Sequence, residues 1–194
     1  PSVMMPELGR STTHREGLDI LQRWIAACAG RGNYPIKFNG SIFTVDPKFT
    51  KETVDLNPDW RRWGDCYWFQ NTRLPYFPMI PSGDFDTARP LFKFYRDMLP
   101  LCEARAKIYH GVAGAYFPET ATIYGTYSNN DYGWDRTGHK ANEVLCPWWQ
   151  YAWQQGLELV ALMLDYYEHT LDATFLKREL LPMANSVLRY YDTR

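Results

Sequence analysis

The sequence predicts an all-α protein of helical hairpins joined by long, aromatic-rich loops. Three observations predict it. Several segments carry apolar residues at three-four spacing. No stretch alternates apolar and polar residues long enough to build a sheet. The last two helical segments are separated only by Thr170, Leu171 and Asp172, and so short a link makes antiparallel neighbours.

Each element follows from its local chemistry. Ser11, Thr12 and Thr13 offer an N-cap for a helix reaching about Ala29, with Gly30 as its stop, and Leu18, Leu21, Trp24, Ile25 and Cys28 lie on one face. From Asn33 to Val45 the chain is extended or looped, punctuated by Pro35 and Asn39-Gly40. A second helix is expected over Trp63 to Pro75, stopped or kinked by Pro75 and Pro78. A third follows Ser82-Gly83-Asp84: Phe85, Ala88, Leu91, Phe92, Tyr95, Met98, Leu99 and Cys102 keep the period towards Ile108, with a kink at Pro100. Gly111 to about Asn142 is one long connection, of a kind usually functional inside compact domains. A fourth helix is expected from about Pro147 to His169. A fifth is expected from Ala173 to Tyr191, with Pro182 as a possible bend.

The 194 residues suffice for one domain with a real core, and 45% apolar content makes it globular. A net charge of -1 without a Lys/Arg run argues against nucleic acid or an anionic membrane as partner. Cys28, Cys66, Cys102 and Cys146 show no zinc spacing; their even number permits disulfides without requiring them. The four His show no ligand spacing either, so no metal and no cofactor is expected. No signal peptide and no bilayer-length apolar run is present. The chain reads as a piece of a longer protein, because it lacks an initiator Met and its final helix has no C-cap glycine.

Trp60 to Pro78 is the most telling stretch. It sets three Trp, two Tyr and two Phe around Asp65, Gln70, Asn71 and three Arg. Sugars are bound by that mixture: pyranose C–H faces stack on aromatic rings, and hydroxyls take carboxylates, amides and guanidinium groups. A buried aromatic helix with satisfied polar residues accounts for it equally well.

Glycoside hydrolysis needs two carboxyl groups, roughly 6.5–9.5 Å apart in the inverting arrangement so that water fits between. Glu119 is the best candidate acid, in a loop with Tyr116, Tyr124, Tyr127, Tyr132 and Trp134 that would form an apolar wall. Its alternative is a carboxylate capping backbone N–H groups at a helix start. Asp65, between Trp63 and Trp68, is the second catalytic candidate, with substrate contact or N-capping weighed above catalysis. Asn71 and Arg73 are candidate hydroxyl binders, Arg73 equally a surface ion-pair residue. Lys37 and Asn39 in the Pro35–Gly40 loop, and the rings of Trp63, Trp68 and Trp134, complete the candidate substrate-binding set. Glu158 is expected to be paired in the core or turned into a barrel centre.

These residues carry a resemblance that runs through most of the chain in one order. Gly64, Asp65, Asn71, Tyr76 and Pro78 fall in step with G-D-Y-H-T-N-I-N-L-Q-M-N-Y-W-P of the family 95 glycoside hydrolases, the α-L-fucosidase and α-galactosidase group. Gly114 through Gly125 resembles G-W-x-x-H-H-N-T-D-x-W-G. Asp165, Tyr167, Thr170, Asp172, Phe175 and Leu176 fall in step with W-E-H-Y-x-x-T-G-D-x-x-F-L. Ala27 through Gly40 resembles a related glycosidase-like domain of polysaccharide-degrading bacteria. The resemblance implies part of an (α/α)6 toroid of the six-hairpin glycosidases. It also implies an inverting hydrolase acting on plant or host poly- or oligosaccharides, and a periplasmic or secreted location. The chain departs from the pattern where Phe69 replaces the first of two Asn and where Pro118, Glu119, Thr120, Ala121 and Thr122 replace His-His-Asn-Thr-Asp. The family's general acid corresponds to a position beyond Arg194.

The expected partners are therefore a carbohydrate substrate and the remainder of the parent chain, with self-association through uncovered helix faces as a further outcome. The competing readings are a catalytically lost glycan-binding or scaffolding domain, and a terpene-cyclase-like toroid, whose D-D-x-x-D metal motif this chain lacks.

Overall fold

The computed structural model of the protein describes residues 15–30, 32–36, 66–128, 132–146, 149 and 152–194. Within them lie α1 (Arg15–Gly30), β1 (Tyr67–Trp68), α2 (Phe69–Thr72), α3 (Tyr76–Met79), α4 (Phe85–Asp97) and α5 (Leu99–Arg105), which continues as a π-helical turn, Ala106–His110. Then follow β2 (Thr120–Ala121), α6 (Gln155–Thr170), α7 (Ala173–Phe175), a second π-helical turn (Leu176–Leu180) and α8 (Leu181–Thr193). The described residues are mostly helical, and β1 and β2 form their one small sheet. Among them, no helix is long and apolar enough to cross a membrane.

The single helix expected over 63–75 is corrected. Its described part is a two-residue strand, a one-turn helix (α2) and a turn, and a second one-turn helix (α3) follows Pro75. Pro75 and Pro78 end nothing here: Pro75 caps α3 and Pro78 lies in its only turn, where a missing N–H leaves no bond unmade. The helix expected from Phe85 breaks at Met98 (φ -88°, ψ -1°), two residues before Pro100, which then occupies the first turn of α5. Gly111, with φ 72°, ends that helical row in the left-handed conformation that terminates many helices. The fourth helix starts later than expected, at Gln155.

The direction of the helices follows from their contacts. Leu171 (φ 51°) closes α6 by donating its N–H to Tyr167 O at 2.7 Å, and Asp172 Oδ1 caps the next helix by accepting from the N–H of Thr174 and Phe175. Gly156, at the other end of α6, packs against Val187 so closely that a Cβ there would lie 3.0 Å from its Cγ2. The α6–α8 pair is thus an antiparallel hairpin. Phe85 and Phe92 meet Tyr166 edge-to-face at 5.6 and 5.4 Å, while Tyr95 meets Phe117, which lies against Gly156. The row α4–α5 therefore also runs opposite to α6. It runs in the same direction as α7–α8: Arg89 reaches Glu179, Glu103 accepts from the Ser186 hydroxyl at 2.6 Å, and His110 meets Tyr190.

Between these three rows sits the core, with Leu91, Phe92, Leu159, Met163, Met183 and Val187 fully buried. α1 touches this body near its C-terminal end, where Gly30 packs on Thr87. Of the expected apolar face of α1, Leu18, Leu21 and Trp24 are 53, 44 and 54% exposed among the described residues. Spacing marks such a face without saying what packs on it. Cys28, Cys102 and Cys146 are free thiols, and Cys66 is buried.

Candidate functional site

The short sheet brings two distant parts of the chain together. Tyr67 pairs with Ala121 and Trp68 with Thr120 in antiparallel register. The residue preceding β2 on one strand, Glu119, therefore faces the start of α2 on the other. A helix start leaves its first N–H groups without intrahelical partners, and Glu119 takes two of them. Its backbone carbonyl accepts from Phe69 N–H at 2.8 Å, and its Oε1 accepts from Gln70 N–H at 2.9 Å. Its Oε2 accepts from the side-chain amide of Gln155, the first residue of α6.

Glu119 is thus a buried carboxylate, 3% exposed, joining the starts of two helices. Among the described residues no Lys, Arg or His forms an ion pair with it. Beside it are two buried polar atoms without hydrogen-bond partners among the described residues, Gln155 Oε1 and Tyr95 Oη. Burial, and then the Glu119 charge, hold the Tyr95 hydroxyl pKa well above its usual value. The rings against this knot are Phe69, Tyr95 and Phe117, with Phe69 and Tyr95 meeting at 5.4 Å and Tyr95 and Phe117 at 5.9 Å.

No protein-family model matches the chain, and no curated protein matches it. The chemistry of the site has to come from its geometry.

Of the other candidates, Arg73 pairs with Glu158 at 2.7 Å, a second tie between the end of α2 and the first turn of α6. Asn71 is half-buried, and its side-chain amide has no partner among the described residues. Trp68 is half-buried and meets Trp149 edge-to-face at 5.3 Å. Trp134 is 88% exposed, and no hydrogen bond or ring contact joins it to Glu119. Lys37, Asn39, Trp63 and Asp65 lie outside the described residues.

The aromatic wall expected around Glu119 is dispersed. Tyr124 projects into solvent. Tyr127 and Tyr132 stack in parallel at 5.3 Å, with the Arg105 guanidinium 5.1 Å from the Tyr127 ring and that of Arg136 3.8 Å from the Tyr132 ring. This column ties the segment after residue 131 to α5. Arg105 is itself buried and donates to Gly125 O at 2.6 Å. Tyr116 joins this column through a hydrogen bond between its hydroxyl and that of Tyr127, and lies 4.8 Å from the His110 ring and 5.8 Å from Tyr190.

His110 makes a testable contribution there. Its Nδ1 lies 2.9 Å from the Tyr190 hydroxyl. Burial first, then the positive charges of Arg194 and Arg105, push its pKa from 6.5 down to about 4. The unfolded chain therefore binds this proton before the folded one does, and stability must fall as pH drops through that window. Thermal melts between pH 7 and pH 4.5 should fall more steeply for the wild type than for His110→Gln. Equal slopes would remove His110 from the acid response.

Gln155 and Tyr95 carried no sequence signal of a site. Tyr95 reads as one member of a core stripe, and Gln155 has no motif around it. Only the packing of separate elements makes Gln155 and Tyr95 neighbours of Glu119: α6 brings in the Gln155 amide, and α4 brings Tyr95 beside Phe69.

Proposed function

We propose that the protein is the catalytic domain, or part of it, of an inverting glycoside hydrolase acting on a plant or host poly- or oligosaccharide outside the cytoplasm. The observation that carries this reading is Glu119, a carboxylate 3% exposed and without a cation partner among the described residues. Buried carboxylates are rarely kept unpaired unless they are used. Asp65 is the proposed second carboxyl group, and Asn71, Arg73 and Trp68 the nearby sugar contacts.

Two further features support it. Two helical rows running in one direction with an antiparallel helix packed between them are the repeating arrangement of an α/α toroid. The glycine positions of the family 95 motifs also coincide with left-handed backbone here: Gly114 (φ 92°), Gly125 (φ 75°) and Leu171 (φ 51°), the last standing where the motif has glycine.

A second reading, a glycan-binding or scaffolding domain without turnover, is favoured by one specific observation. Both carboxylate oxygens of Glu119 already accept N–H groups, as in a purely structural brace.

Hydrolysis of aryl-glycosides and plant oligosaccharides by the intact protein, beside its Glu119→Gln variant, separates the two. Loss of a general acid lowers kcat about 10²- to 10⁴-fold. Turnover by the wild type and that loss in the variant support the glycosidase with Glu119 at its centre. Equal turnover moves the acid elsewhere, and glycan binding without turnover in either protein establishes the second reading.

A further inference from the structure

Trp134 is the most exposed large hydrophobic side chain among the described residues, at 88%, yet the loop that bears it is firmly built. Arg136 donates to three carbonyls, those of Tyr132, Lys140 (2.6 Å) and Glu143 (2.8 Å), while its guanidinium stacks on Tyr132. Tyr132 in turn donates its hydroxyl to Ala141 O at 3.0 Å, and Asn142 donates its amide to Tyr109 O at 3.1 Å. Immediately before the ring, Gly133 adopts φ 82°, and a Cβ there would lie 2.9 Å from Leu145 Cδ1. The column Arg105–Tyr127–Tyr132–Arg136 fastens the whole loop to α5.

A loop pinned at this many points fixes the backbone that carries the indole, so the entropy of ordering the loop is already spent before any ligand arrives and only the side-chain rotamer is left to fix. What surrounds the ring sets the size of the ligand. Along the chain it is followed by Asp135, Thr137, His139 and Lys140, all exposed and polar, with the half-exposed Leu145 against Gly133 as the apolar side chain nearby. A stable protein partner needs roughly 800 Å² on each side with an apolar centre. A single flat ring followed in sequence by exposed carboxylate, hydroxyl and ammonium side chains suits one sugar residue instead, whose C–H face stacks on the indole while its hydroxyls meet polar groups.

We propose that Trp134, held by the Arg136-pinned loop, is a stacking platform for one pyranose unit of a polysaccharide chain, set apart from the Glu119 knot. The proposal rests on the carbohydrate reading and deepens it, and its failure is seen in a different assay.

The test is retention of the intact protein in native gels containing xylan, polygalacturonate, galactan or mannan. Trp134→Ala should weaken retention on the retaining polymer about tenfold, as expected for loss of one aromatic stack. Trp134→Phe should restore most of it, and the thermal midpoint of both should match the wild type. Arg136→Met should weaken retention as well, by loosening the loop while leaving the ring in place. Retention unchanged in Trp134→Ala, or a wild type retained by none of the polymers, overturns the platform. So does a Trp134→Ala protein whose sedimentation changes in place of its retention, because then a protein surface covers the ring. Failure of the glycosidase reading shows in the Glu119→Gln turnover, not here.

Discussion

Gly114→Ala should destabilise the protein by about 4 kcal/mol or more, among the largest effects of any single methyl group in this chain. A Cβ at this position would lie 2.2 Å from Tyr190 N, 2.5 Å from Ser186 O and 2.7 Å from Tyr190 Cα. All three are backbone atoms of α8, so no side-chain rotation relieves the overlap. Moving α8 away sacrifices the Ala115 N–H bond to Ser186 O at 3.0 Å and disturbs Val187 and Tyr190, both buried. The φ of 92° adds a backbone strain of roughly 1–3 kcal/mol for any L side chain. Gly83→Ala is the control. It shares the positive φ, at 78°, but has nothing within 4 Å of its Cβ. Urea unfolding of the two variants separates strain, present in both, from the collision with α8, present in one. Equal losses would mean that the close approach at Gly114 is unimportant.

Gly114 also shows how much of this fold the sequence displays. Helical rows are local: the three-four stripe from Phe85 to Cys102 and the Leu171-Asp172 link could be read in order, and both positions proved helical and reversing as expected. What could not be read is non-local. A two-residue strand has no period, so β1 and β2 look like helix and loop until their pairing across fifty residues is seen. The break at Met98 follows from Pro100, but sequence alone does not say whether a proline bends a helix or divides it. The candidate site divides in the same way. Glu119 stands out as a carboxylate among tyrosines and between Pro118 and Thr120, whereas its donors come from the start of a turn-length helix and from a glutamine with no motif of its own. Of the tyrosines near it in sequence, Tyr116, Tyr127 and Tyr132 join one column that runs to Arg105 and Arg136, while Tyr124 projects into solvent, a division that spacing along the chain does not display.

Removing the Glu119 side chain altogether should cost about 3 kcal/mol. In Glu119→Ala the Gln70 N–H and the Gln155 amide lose their acceptor in a place where Gln155 is fully buried, and each orphaned donor costs about 1–3 kcal/mol. Against this stands the relief of no longer burying a charge without a cation, which works in the opposite direction. Glu119→Gln drops the charge and keeps one acceptor oxygen for the Gln70 N–H, while its NH2 replaces the oxygen that accepts from Gln155; it isolates the charge effect provided the Gln155 amide turns its unpartnered Oε1 toward that NH2. Its stability should stay within about 1 kcal/mol of the wild type if the hydrogen bonds dominate, and rise if desolvation does. The two variants together with the turnover assay then say what the carboxylate is kept for. A group held for chemistry costs stability that its neutral isostere regains. A brace gives a large loss in Glu119→Ala, faster amide exchange at Phe69 and Gln70, and no effect on kcat in Glu119→Gln. Arg73 and Glu158 would then be the remaining tie between α2 and α6, and the exchange rates at the start of α2 would report how much that ion pair holds alone. If Glu119→Ala unfolds at the same urea concentration as the wild type, the knot does not hold the helix starts, and the structural half of the argument falls.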